Sequence, residues 1–100
     1  MAVTKAEDKW MTAICLIGCI ACRVMGHNDV RGMVHHMLNP GGRRRGHLYT
    51  LCLCWLHHQS GRNDREIVSR HPWATAFQKR YGTEQSLLEK TKKLVRACHE

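Results

Sequence analysis

Cys19-Ile20-Ala21-Cys22 and Cys54-Trp55-Leu56-His57-His58 are the two stretches on which the reading of this chain turns. Each holds a pair of sulfur or nitrogen ligands with two residues between them, a spacing at which one tight turn can present both side chains to one point. Zinc takes four such ligands in a tetrahedron. Two chelating pairs that bracket a segment of hairpin length predict a structural zinc ion on Cys19, Cys22, Cys54 and His57. Cys52 lies two residues before Cys54, and in a strand the two would point to the same face. Cys52 is therefore an alternative to Cys54, at a longer spacing from His57. Cys15 and Cys98 are expected in helix cores, where cysteine packs as a small hydrophobe.

The chain between the two pairs reads as a hairpin. Residues 32–36 suggest a short strand, Asn39-Pro40-Gly41-Gly42 is a dense turn signal, and Arg43-Arg44-Arg45-Gly46 is a basic loop. His47 to Leu53 is rich in strand formers and should pair back as the second strand. A short helix from Cys54 follows, ended by Gly61. Upstream, residues 4–16 read as a helix with Thr4 and Glu7 forming a capping box and Gly18 as its stop. Downstream, residues 62–71 are polar and loop-like. Pro72 suits the first turn of a helix carrying Trp73, Ala76, Phe77 and Tyr81 to Gly82. Thr83 should cap a last helix whose stripe of Leu87, Leu88, Thr91, Leu94, Val95 and Cys98 is core or a dimer seam. The expectation is one α+β domain over residues 1–100, zinc-stabilised, with helices flanking at both ends.

Sixteen Lys and Arg stand against eight Asp and Glu, a formal net charge of +8. Such a balance points to a polyanionic partner, most simply nucleic acid. Arg43, Arg44 and Arg45 share the hairpin turn and are the candidate phosphate contacts. The N-terminus carries two early acids and no apolar stretch after them, so no signal peptide is read there. The apolar run over 13–24 is broken by Gly18 and Arg23 and is too short to span a bilayer. A reducing cytoplasm, with cysteines used for metal, fits better than secretion with disulfides.

Two histidine doublets, His35-His36 and His57-His58, add chemistry. If His57 turns to zinc, His58 lies about 100° round the helix and can face the hairpin, meeting His35 or His36. Neutral imidazoles there could hold a divalent cation, and a free neighbour could take a proton from water near neutral pH. That is the chemistry of one-metal phosphodiester hydrolysis.

In order and spacing these motifs resemble the HNH (His-metal, ββα-metal) endonuclease superfamily, and most closely its phage Ref-like branch of recombination enhancement, RecA-dependent nucleases. The resemblance rests on Cys19-x-x-Cys22, His35-His36, the Gly-rich turn, Leu53-Cys54-x-x-His57-His58, and His71-Pro72-Trp73 through Tyr81-Gly82 with Leu87-Leu88, about residues 8 to 95. It implies a phage DNA endonuclease acting in recombination, repair or host takeover. It implies His36 as general base and His35 and His58 as ligands of a second, catalytic divalent metal (Mg²⁺, Mn²⁺ or Zn²⁺). His71 is the candidate third ligand; the position one helical turn past His58 holds Arg62, which does not ligate. His47 stands where the superfamily usually has an Asn that braces the base, so it either braces His36 or binds metal. DNA is the expected substrate, with host or phage recombination proteins as further partners and no membrane. The chain lacks the long basic N-terminal extension of Ref-like proteins, and RecA dependence is not carried over. Two other classes stay open: a non-catalytic zinc-stabilised module that binds nucleic acid or protein, and a phage inhibitor of a host enzyme built on the same fold.

Overall fold

Thr4 begins the fold as the N-cap of helix α1 (Lys5–Ile17): its hydroxyl accepts from the Glu7 amide at 3.1 Å, and its own amide donates to the Glu7 carboxylate at 3.0 Å. The reciprocal pair satisfies two of the amides that a helix start leaves open. A computed structural model describes residues 3–98 of the chain, and the side chains of residues 3–97. Cys15, expected in a helix core, is exposed. The buried stripe of α1 runs through Ile14 and Ile17, three residues apart, and Cys15 lies about 100° round from Ile14. The side chain of Cys98 lies outside the described residues.

Gly18 ends α1 at φ 89°, ψ −172°, a backbone region that is essentially glycine's alone. A Cβ there would stand 2.7 Å from the Val30 carbonyl oxygen, which also accepts the Cys19 amide at 2.8 Å. Gly18→Ala is expected to destabilise the protein by about 1–3 kcal/mol from backbone strain alone, with the clash adding to it. A urea midpoint unchanged from wild type would contradict this account.

After Gly18 comes the short helix α2 (Ile20–Val24), then strand β1 (Met33–His36), which pairs antiparallel with β2 (Thr50–Leu53) in the register Met33↔Leu53, Val34↔Cys52, His35↔Leu51 and His36↔Thr50. β2 begins three residues later than its composition suggests. His47 to Tyr49 form a turn instead: the Tyr49 amide donates to the Gly46 carbonyl, and the Thr50 hydroxyl donates to the His47 carbonyl at 2.9 Å. Asn39 shapes the hairpin tip, its side-chain oxygen accepting from the Gly41 and Arg43 amides.

All four residues of β2 are buried, because helices from both ends of the chain pack on it. Helix α3 (Trp55–His58) follows β2 directly, with Cys54 at its N-cap. A loop of irregular backbone leads to α4 (Ala74–Tyr81). Pro72 lies outside that helix rather than in its first turn. Trp73 takes the N-cap position at φ −94°, ψ 51°, where its indole N–H donates to the Gly61 carbonyl at 2.8 Å. Tyr81 ties the loop to α4 by accepting the Val68 amide at 3.1 Å. Helix α5 (Glu84–Cys98) starts where Thr83 accepts the Ser86 amide. Leu87, Leu88 and Thr91 are buried and Leu94 and Val95 half-buried, so this stripe serves as core against α1, α2 and β2. The result is an α+β fold: a two-stranded antiparallel sheet with flanking helices and a Cys/His cluster able to hold zinc.

Candidate functional site

Both chelating pairs sit on the first turn of a short helix. Cys19 is the N-cap of α2, and its sulfur accepts the Cys22 amide at 3.4 Å. Cys54 is the N-cap of α3, and its carbonyl accepts the His57 amide at 3.1 Å. The two turns face each other, and all four residues are buried. Cys22 Sγ lies 3.8 Å from Cys54 Sγ, and His57 Nδ1 lies 3.7, 3.5 and 3.1 Å from the sulfurs of Cys19, Cys22 and Cys54. With Zn–S near 2.3 Å and Zn–N near 2.0–2.1 Å, the edges of a tetrahedron are about 3.8 Å for S···S and about 3.5 Å for S···N. The side chains thus already stand near the corners zinc requires. Burial pushes the thiols of Cys19 and Cys22 up, which makes a bare cluster of thiolates costly and a cation there favourable.

Cys52 does not join this cluster. β2 ends at Leu53, so the alternation that would have put Cys52 and Cys54 on one face stops between them. The Cys52 sulfur packs where a Cβ on Gly32 would stand.

A second cluster lies one residue along. His35 on β1, His58 on α3 and His71 in the following loop bring one ring nitrogen each to within 4.8 Å of one another. His35 Nδ1 and His58 Nε2 are 3.2 Å apart, close to the N···N edge of about 3.3 Å for two ligands of a tetrahedral ion. The loop reaches α3 through two backbone bonds, the Arg70 amide to the His57 carbonyl at 2.7 Å and the His71 amide to the His58 carbonyl at 3.0 Å. Burial, and then the neighbouring His35, His71 and Arg70, push His58 down to about 4. His71 is lowered by burial and by Arg70. Both rings are neutral near pH 7, the form that ligates metal. His58 Nδ1 is buried without a hydrogen-bond partner among the described residues. Three imidazoles converging in this way are a donor set suited to a divalent transition metal.

His36 faces a different neighbour. Its Nε2 is 3.1 Å from Nδ1 of His47. Burial, with Arg44, His47 and His35 nearby, holds its pKa below the ordinary imidazole value. His47 is held in turn by its carbonyl, which accepts from Thr50, whose hydroxyl accepts the Trp10 indole N–H at 3.0 Å. His35, His36, His58 and His71 open together on a pocket of about 270 Å³ that Arg44 also lines.

The three arginines of the hairpin tip separate. Arg44 reaches the histidine pocket, Arg43 is exposed, and Arg45 lies 4.1 Å over the Tyr49 ring with a 3.4 Å bond to Gln85. One site residue had no motif to announce it. Glu84, in the first turn of α5, places its carboxylate 3.4 Å from His35 Nε2 and pairs with Arg70. By sequence it is a first-turn acid of a capped helix, a role that hides this contact.

Compared with known families, residues 3–96 match the family model described as "Recombination enhancement, RecA-dependent nuclease". No curated protein matches the chain. No helix among the described residues is long and apolar enough to cross a membrane.

Proposed function

Because the chain belongs to the recombination enhancement, RecA-dependent nuclease family, we propose that it is a metal-dependent DNA endonuclease of the HNH type, of phage origin, serving recombination, repair or host takeover. The observation that carries this reading is the shared pocket of a three-imidazole cluster, an uncoordinated His36 and Arg44. A purely structural metal site has no use for a free imidazole beside it.

In this reading Cys19, Cys22, Cys54 and His57 hold a structural zinc, and His35, His58 and His71 hold a catalytic divalent ion. When bound, that ion would stabilise charge on the phosphate and on the leaving oxygen. His36 Nε2 meets His47 Nδ1 at 3.1 Å; with the shared proton on His36 Nε2, His36 Nδ1 would keep the lone pair that takes a proton from the attacking water. His47 orients the base and fixes its tautomer. Arg44 holds a phosphate oxygen at the mouth of the pocket. Nicking of plasmid, single-stranded and branched DNA across Mg²⁺, Mn²⁺, Co²⁺, Ni²⁺ and Zn²⁺ tests the proposal. Zinc-loaded protein that binds DNA and cuts none of these with any ion defeats it.

The arginines give a separate prediction. Replacing Arg43, Arg44 and Arg45 together should weaken DNA binding and reduce the slope of log K against log salt by about 0.9 for each duplex phosphate that these side chains neutralise. An unchanged slope would put the DNA on another face.

A further inference from the structure

His35 can present only one bare nitrogen when neutral, and its surroundings decide which. Its Nδ1 faces His58 Nε2 at 3.2 Å, and its Nε2 faces the Glu84 carboxylate at 3.4 Å. An ionised carboxylate accepts and cannot donate. We propose that Glu84 is a positioning residue that keeps the His35 proton on Nε2 and so turns a bare Nδ1 to the face shared with His58 and His71. The proposal rests on the reading of those three histidines as a metal site.

Several features hold the carboxylate in this role. Glu84 is only 12% exposed, and Arg70, 14% exposed, pairs with the same oxygen that meets His35. Glu84 also sits in the first turn of α5, where the helix dipole favours negative charge. Burial opposes a charge on Glu84, and the bonds from His35 and Arg70 to its carboxylate offset that cost. Arg70 is anchored independently through its amide on the His57 carbonyl. The brace therefore joins α5, the loop before His71 and β1, three elements far apart in the chain.

The contrast with His58 sharpens the point. His58 Nδ1 has no partner among the described residues. No partner there assigns the His58 proton to either nitrogen, and a metal taken at Nε2 would leave that proton on an unpaired Nδ1. In this arrangement one imidazole is fixed and its neighbour adapts. Carboxylate braces of this kind orient histidine ligands and raise their basicity.

The test uses the zinc-loaded full chain. ¹⁵N spectra of the imidazoles before a second metal is added should show His35 protonated at Nε2. In Glu84→Gln the amide can either donate or accept, so both His35 tautomers should appear. Co²⁺ followed by its visible absorption should then bind the three-histidine site about 10–100-fold more weakly, with zinc content and melting near wild type. A wild-type His35 protonated at Nδ1, or unchanged Co²⁺ affinity in Glu84→Gln, overturns the proposal. If Glu84→Gln does not fold, the wild-type spectrum alone still decides. A wild-type Nε2–H tautomer with no Co²⁺ uptake would support the brace and count against the catalytic-metal reading instead.

Discussion

Cys54→Ser is expected to lose its bound zinc and its cooperative melting transition together. The four ligands come from two turns, at 19–22 and 54–57, that join α2 to the end of the hairpin. The interior behind them is built on a two-stranded sheet and short helices, and the cluster sits within it: Cys19, Cys22 and Cys54 belong to the same buried group as Leu51, Leu53 and Phe77. Zinc binding at structural Cys/His sites is worth about 10–16 kcal/mol near pH 7, against a net stability of about 5–15 kcal/mol for an ordinary domain. Losing one thiolate also leaves two buried thiols and an imidazole facing each other without a cation. Wild type should therefore carry about one tightly bound zinc per chain, and chelation should mimic the mutation. Metal analysis beside thermal melting checks both, and a zinc-free protein with an unaltered melting curve would refute the prediction.

His36→Ala should leave zinc content and melting close to wild type and lower DNA cleavage by about 10²-fold or more, the scale expected for a lost general base. His36 is half-buried and no member of either metal cluster, so its removal opens a small gap and exposes no ligand. His58→Ala is expected to fail differently. It removes a ligand from the three-histidine cluster, so excess divalent metal should restore part of its activity, whereas the same excess should not help His36→Ala. Equal rescue of both variants would remove His36 from the role of base.

These two predictions rest on the parts of the chain that were legible before folding. Cys19, Cys22, Cys54 and His57 announce themselves by local spacing, because two intervening residues on one turn fix the geometry almost regardless of context. The divergence of His57 and His58 by about 100° follows from the pitch of a helix, and the approach of His58 to His35 from a hairpin leading straight into that helix. The Thr4–Glu7 capping box is equally local. What escaped the sequence depended on distant partners. Glu84 meets His35 across 49 positions of chain. Cys15 carries no sign of which side of α1 it occupies until Ile14 and Ile17 choose the buried stripe. Trp73 holds the start of α4 through Gly61, a residue that by itself reads only as a helix stop. Gly46 and Thr50 turn His47 to Tyr49 out of the strand that their β-forming side chains suggest.

Helix α3 is four residues long, and its last two side chains serve different clusters: His57 the cysteines, His58 the other histidines. One inserted residue between them would rotate His58 by about 100° and advance it by about 1.5 Å, separating it from His35 while His57 stayed in place. The backbone bonds from Arg70 and its neighbour His71 would lose their register at the same stroke. Length can vary at the exposed hairpin tip around Pro40 and Gly41 with little effect on either centre. Between His57 and His58 it cannot. The two centres are consequently held in one register: a change of spacing between His57 and His58 would move the histidine cluster relative to the cysteine cluster, while the hairpin tip is free of that constraint.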